Sequence, residues 1–435
     1  MSKDEEKYTW NWPSQIFPII DPHSKIKHQI IDDYLQAYVH VLMRNAMIPR
    51  MRLSIIDGFC GGGRYRDEDG SIHYGSPIIA LKSVKEAVFK LNIGRQSPRE
   101  FTTQNFFVDI NKNNADCLNS VLKELDEGHR IGTDIHIHCE DFSTILPRIL
   151  PKVRAFGDRA IFLLDQYAYG DVPFDDIQTI FRTVKNAEVL LTFNIDALIT
   201  YLSDKPRNRK AIANIGLERH IPWEDLKSIK VSHKHEWQYL IQRYLSKGIL
   251  EESGAEFMTI FFVTPLGKNS RTYWFIHLAN SYRANEVMKS IHWQYGNNFS
   301  HSLSPSLFVG YDANRDINVT DQHDLSLGEE HHFDGVTSQR IQAELSEILP
   351  RAIYETEEQT FEHLMRGIAN FTMANEEIVK GSLEAVIASG DVEVKDKTGK
   401  TIRRKSSSII GSDRIVASPQ RPLFFLPRTF KIKKD

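Results

Sequence analysis

Cysteine is scarce. Cys60, Cys117 and Cys139 are the three in 435 residues, and no two stand at metal-ligand spacing. That argues against a disulfide framework or a zinc ribbon, and for a reducing compartment, the cytoplasm. Long apolar runs are missing too. The longest is Ala160-Ile-Phe-Leu-Leu164, against the roughly 20 residues that cross a bilayer, so no membrane partner is expected. The first ten residues are charged and lack an apolar centre, so they do not read as a secretion signal. Excess charge is also absent. A net charge of -3 does not suit a chain coated in nucleic acid, although local basic patches stay possible.

What is present is a rhythm. After an arm over residues 1–24 that carries Trp10, Trp12, Pro13 and Pro18, the apolar positions Ile30, Ile31, Tyr34, Leu35, Tyr38, Val41 and Leu42 recur at helical spacing. Short apolar runs then alternate with helical stretches. The runs end at Asp57, Asp109, Glu140-Asp141, Asp165 and Asn194-Ile-Asp196. This pattern predicts a parallel sheet whose carboxyl edge carries the acids, the edge where such sheets bind ligands. A helical insert is expected over 198–250, with the basic stretch Lys205-Pro-Arg-Asn-Arg-Lys210. Two further strands, 256–264 and 271–278, would close the sheet as an antiparallel hairpin. The expected fold is therefore a Rossmann-like class I methyltransferase sheet spanning 25–300. Residues 301–345 read as a linker or insertion. Helix, turn, helix and hairpin over 346–435 outline a winged-helix-like domain.

The first acid opens Asp57-Gly-Phe-Cys-Gly-Gly-Gly63. Gly58 and Phe59 begin that turn, and Gly61 and Gly63 let it bend where a Cβ would intrude on a ligand. Asp109, followed by Ile110, is placed to accept both ribose hydroxyls of a nucleoside, its alternative role being a helix N-cap. Asp141 suits an adenine amino group with Phe142 beside the ring, and the same N-cap alternative applies. Together these residues predict a site for S-adenosylmethionine. A long loop, Arg64 to Tyr74, separates the turn from a helix with Ser76 as its cap.

The fourth run ends in Asp165-Gln-Tyr-Ala-Tyr-Gly170, where a methyl acceptor would sit. Asp165 can orient or deprotonate the nucleophile, Gln166 stands beside it, and Tyr167 or Tyr169 can stack on a flat substrate. Base-directed amino methyltransferases carry prolines where this chain has Gln166 and Ala168.

Other constellations weigh less. His136 and His138 alternate on one strand and read as packed rather than metal-bound, and no metal site is expected. Cys60 reads as a small packed residue. Residues 395–435 hold twelve Lys/Arg against three Asp. Lys400, Arg403, Arg404 and Lys405 suit phosphate contacts to DNA or RNA, or docking to a protein.

With these residues in place the chain resembles the three-Cys-motif partner protein family. The shared features are Lys27-His28, Ile56-Asp-Gly-Phe-Cys-Gly-Gly-Gly-Arg-Tyr65 and Gly75-Ser-Pro-Ile-Ile-Ala-Leu81. They continue with the Asp165–Gly170 loop, Val172-Pro173, Arg283-Ala-Asn-Glu-Val-Met-Lys289 and His292-Trp293. The resemblance implies a methyltransferase-like fold and a cysteine-motif partner similar to radical-SAM enzymes. Family members tend to show Asp-Pro-Phe-Gly where this chain has Asp165-Gln-Tyr-Ala. Two functions follow as expectations: methyl transfer to a nucleic acid or nucleotide-like group, or a methyltransferase fold kept as a binding subunit of a defence-type complex. A metal-dependent nuclease is the remaining alternative.

Overall fold

The computed structural model describes residues 8–45, 47–232, 237–263, 273–295, 300–301, 331–403 and 405–418. The chain divides into two compact units, 1–232 with 248–291, and 233–247 with 292–435.

In the first unit, α1 (Pro22–Leu42) precedes β1 (Arg50–Asp57). The hairpin β2 (Arg64–Arg66) and β3 (Ile72–Tyr74) leads to α2 (Ser76–Asn92). Four strand–helix steps follow: β4 (Glu100–Val108) and α3 (Lys112–Glu124), β5 (Ile135–His138) and α4 (Phe142–Phe156), β6 (Arg159–Leu164) and α5 (Phe174–Thr183), β7 (Asn186–Phe193) and α6 (Ile195–Tyr201). The helices α7 (Pro206–Asn214) and α8 (Leu226–Ser232) begin the insert, and α9 (Trp237–Ser253), whose residues up to 247 are counted with the second unit, ends it. Then come β8 (Phe257–Val263), β9 (Tyr273–Ala279) and α10 (Tyr282–Tyr295).

These strands stand in the order β8-β9-β7-β6-β1-β4-β5. β5, β4, β1, β6 and β7 are parallel, and β9 enters antiparallel between β7 and β8. A parallel series closed by one inserted antiparallel strand is the Rossmann-like methyltransferase sheet. The chain folds this way because the central strands are apolar on both faces: Leu53 to Asp57, Ala160 to Leu164 and Ala187 to Phe193 are buried without interruption. α1 lays Ile30, Ile31, Tyr34, Leu35 and Val39 into the core, each large apolar side chain contributing roughly 1.5–3 kcal/mol.

The long loop after the glycine turn is a hairpin, pairing Arg64 with Tyr74 and Arg66 with Ile72. Its edge is taken by the N-terminal arm, where the Ile20 amide donates to the Arg66 carbonyl and the Arg66 amide to that of Pro18, both at 2.9 Å. The cap of α2 is Gly75 rather than Ser76, which lies inside the helix.

In the second unit, helices Gly335–Thr356, Phe361–Ile368 and Glu376–Ala388 are capped by Asp334, Thr360 and Asn375. Strand Arg414–Ala417 pairs antiparallel with both Glu358–Thr360 and Val392–Lys395. The sequence signals found the third helix and its Asn375 cap. They missed strands 358–360 and 414–417, which are too short for alternation to show. The expected hairpin partner of Val392–Lys395 is reduced to one bridge, Lys395 to Ile402. Most of the expected linker 301–345 lies outside the described residues, and the helix beginning at Gly335 occupies its end. Among the described residues, no helix is long and apolar enough to cross a membrane.

Candidate active site

Register brings the acids together. Asp57, the last residue of β1, pairs with Phe107 of β4 on one side and Leu163 of β6 on the other. Asp109 and Asp165 each lie two residues beyond those partners. Neighbouring strands sit about 4.8 Å apart, so three carboxylates share one edge of three adjacent strands.

Asp57 is the deepest, 1% exposed. Its Oδ1 accepts the Phe59 amide at 3.2 Å, while Oδ2 is buried with no hydrogen-bond partner. Burial pushes its carboxyl up to about 7, with the Ser76 hydroxyl and the Phe59 amide pulling the other way and the charges of Asp165 and Asp109 adding to the rise. Asp109 is not a helix cap; Asn111 caps α3. Instead Asp109 ties the turn together, accepting from the Gly61 amide (3.0 Å), the Asn111 amide (2.7 Å) and the Asn114 side chain (3.1 Å). Burial raises its carboxyl and those three donors oppose the rise.

Asp165 is held differently. Lys27, 5% exposed on α1, places its Nζ 2.6 Å from Oδ1 and 2.8 Å from Oδ2. Burial alone would raise Asp165, but the Lys27 ammonium and a hydrogen bond from Thr192 outweigh it and hold the carboxyl below its ordinary value. Beside this pair, His28 Nδ1 and His73 Nε2 are 3.1 Å apart. Burial drives His28 down to about 3 and lowers His73, so it favours the neutral form of both rings. Tyr65, on β2, completes the group. Its hydroxyl is raised by burial and by the charges of Asp165, Asp57 and Asp109 together.

The glycine turn does bend where expected, with φ of +57° at Gly61 and +73° at Gly63. The space a Cβ would need is filled by the protein itself. At Gly58 it is taken by Leu164 and Phe142, and at Gly63 by Leu118. At Gly62 a Cβ would fall 2.3 Å from the indole of Trp10, which also lies against Gly61. Trp10 donates from Nε1 to the Arg64 carbonyl at 2.6 Å and joins the cluster of Cys60, Ile78, Cys117 and Leu118. The arm therefore backs the turn, and these glycines serve that packing.

Three other expectations need correction, those for Phe142, Gln166 and Arg403, while Asp141 takes the N-cap role that was its alternative. Phe142 is 2% exposed, wedged under Gly58 with its ring 6.2 Å from that of Phe59, so it offers no face to a nucleoside. Ile110, 74% exposed, is the apolar side chain open at that edge. Asp141 caps α4, its Oδ1 accepting from the Thr144 amide (3.0 Å) and hydroxyl (3.2 Å). Gln166 is turned inward, accepting the Val172 amide at 3.0 Å, because that bond closes the loop. In the second unit, Arg403 forks onto buried Asp413 (3.0 and 3.3 Å), an internal ion pair rather than a phosphate contact. Lys400 and Lys405 are exposed, and Arg404 lies outside the described residues. Tyr167 is exposed, and Tyr169 packs 6.3 Å from Phe193.

The remaining polar candidates are structural. Burial raises the Cys60 thiol far above its ordinary value, which removes it as a nucleophile. His136 and His138 stack on Phe106 at 5.1 and 6.3 Å. Among the described residues no group of three or more His, Cys, Asp or Glu could hold a metal ion. Sequence reasoning gave no role to Lys27, His28, His73 or Tyr65, and placed Trp10 only in an arm lying over the domain. Lys27-His28 and Tyr65 stood within the resemblance motifs, which was the available signal.

No protein-family description and no curated protein matches the chain. Among solved structures, SMU.1697c from Streptococcus mutans in complex with SAH is 10% identical, with 60% of this chain and 99% of that one aligned and a TM-score of 0.25. The plantazolicin methyltransferase BamL, in complex with a triazolic desmethylPZN analog and SAH, is 10% identical over 60% and 87%, with a TM-score of 0.24. A spermidine synthase in complex with the transition state analogue AdoDATO is 10% identical over 60% of each chain, at 0.27. At such scores these likenesses carry no weight of their own, and the fold assignment stands on the strand order.

Proposed function

We propose that the chain binds S-adenosylmethionine along the carboxyl edge of β1, β4 and β6 and transfers its methyl group to a nucleotide-like acceptor. The observation that carries this reading is the buried, unpartnered Oδ2 of Asp57 beside Asp109 and Asp165. An edge with three carboxylates, of which Lys27 neutralises one, suits a ligand with positive charge. Asp109 would hold the ribose. A carboxylate has about four lone-pair sites, and protein donors use three, so it has room for one hydroxyl rather than both. Ile110 would lie against the purine. Asp141, whose cap bonds both fall on Oδ1, keeps Oδ2 for the adenine amino group.

A bound sulfonium supplies an activated methyl group, which leaves the protein to align the acceptor. Asp165, held ionised by Lys27, is a weak base and a good hydrogen-bond acceptor, so its role is to orient an acceptor N–H or O–H. Tyr167, 58% exposed on the same loop, would stack on a flat ring. In the second unit, the arrangement of three helices and a small sheet supports the winged-helix reading, with Lys400 and Lys405 available to a phosphate backbone.

The test is incubation of the full chain with methyl-labelled S-adenosylmethionine and total cellular DNA or RNA. Label in a nucleoside with the wild type, and none with Asp57→Asn, is the expected result. A second reading, a methyltransferase fold retained to bind a partner such as a cysteine-motif protein, is favoured by one observation: Lys27 neutralises Asp165, which leaves the acceptor no strong base on that loop. Cofactor binding without any labelled product would support it.

A further inference from the structure

At the opposite end of the strands, a cavity of about 180 Å³ opens between α1, the starts of β6 and β7, and the first turn of α10. It takes no part in the carboxyl-edge site. Its volume is below the roughly 300–1,000 Å³ of pockets for drug-sized ligands, which leaves room for one small ring or short chain.

Its lining is charged on one side and apolar on the other. Arg159, Lys185 and Arg283 line it beside one carboxylate, Glu188, and Arg283 also donates to the Tyr282 hydroxyl at 3.0 Å. That carboxylate is already engaged within the protein. Tyr34 donates its hydroxyl to Glu188 Oε2, and His277 Nε2 stands 3.3 Å from the same oxygen. Arg159 reaches the Tyr38 hydroxyl at 3.2 Å. Ser281 and Ala284, at the start of the 14-residue α10, add the positive end of that helix to the wall. Val41, Leu42 and Val287 make the apolar part.

We infer that this cavity is a second ligand site, for a small organic anion with a phosphate or carboxylate head and a flat apolar body. The head meets Arg159, Lys185 and Arg283, since guanidinium and ammonium groups bind such anions with charge-assisted hydrogen bonds. The body rests on Tyr38, Leu42 and Val287. The site stands apart from the proposed methyl transfer, and its failure would leave that reading untouched.

The experiment is calorimetric titration of the full chain with phenyl phosphate, and with benzyl alcohol as the neutral comparison. Saturable one-to-one binding of phenyl phosphate alone is expected. The surface variant Lys185→Gln/Arg283→Gln should weaken it by at least about tenfold. Val287→Trp, which fills the cavity and leaves every charge in place, should abolish it, whereas binding anywhere else would survive. Thermal melts check that both variants are folded. No saturable binding by the wild type, equal binding of benzyl alcohol, or unchanged affinity in either variant overturns the inference.

Discussion

The Lys27 ammonium lies 2.6 and 2.8 Å from the two carboxylate oxygens of Asp165, joining the first helix of the fold to the loop that follows β6. The lysine is almost wholly buried while the aspartate side chain is 40% exposed. Removing Asp165 therefore strands a buried charge. Asp165→Ala is expected to destabilise the protein by about 1–3 kcal/mol, less than the ~3–5 kcal/mol for a fully buried pair because Asp165 is partly solvated. Lys27→Met/Asp165→Ala should recover part of that loss. Urea denaturation of both variants and the wild type checks this; equal stability of wild type and Asp165→Ala would contradict it.

On the proposed function, Asp57 should link pH to cofactor binding. Its folded carboxyl titrates at about 7, raised by burial from the ordinary ~3.9 of an unfolded chain. The folded state therefore holds the extra proton between those values. The contribution of Asp57 to stability falls as pH rises from about 4 to about 7 and then levels off. A cationic ligand favours the ionised form, so affinity for S-adenosylmethionine should rise as pH passes through about 7. Asp57→Asn should flatten both dependences. Calorimetry at several pH values reads the second, and an unchanged slope in the variant would rule out Asp57 as its source.

Trp10 and Gly62 should be coupled. A Cβ at position 62 would stand 2.3 Å from the indole, and Trp10 itself is 4% exposed. Trp10→Ala should cost roughly 3–5 kcal/mol, as for other buried aromatic truncations. Gly62→Ala should be markedly destabilising on its own and much less so in a Trp10→Leu background. A double-mutant cycle of thermal or urea unfolding measures the coupling; additive effects would mean that the arm does not back the turn.

Arg403 should behave as a structural residue. Its guanidinium forks onto Asp413, which is fully buried, so Arg403→Gln leaves an uncompensated carboxylate. A stability loss of about 2–4 kcal/mol is expected, whereas Lys400→Gln/Lys405→Gln should leave stability unchanged. If nucleic acid binds the second unit, the lysine pair should lower the salt dependence of binding by about two units of slope. Unfolding curves and salt-titrated binding separate the two roles.

The sheet was legible because its strands announce themselves twice, as apolar runs and by the acids that end them. Leu53 to Asp57 and Ala160 to Asp165 needed no tertiary information. The site was half legible for the same reason: acids at strand ends are visible in sequence, but what each carboxylate bonds to is not. Asp109 and Asp141 have the same local look, yet one ties the glycine turn and the other caps a helix. Lys27 and Trp10 reach the site from segments far away in the chain, 138 residues before Asp165 in the case of Lys27. No local periodicity records such contacts. Gln166 and Arg403 read as functional because a polar residue in a loop carries no mark of the inward partner it has found.

The whole reading turns on whether this edge seats a sulfonium nucleoside. Titrating the full-length protein with S-adenosylmethionine near pH 8 answers it. The account predicts saturable binding in the micromolar range, about -8 kcal/mol, and at least about tenfold weaker binding by Asp109→Ala. A folded wild-type protein that takes up no cofactor under those conditions would contradict it.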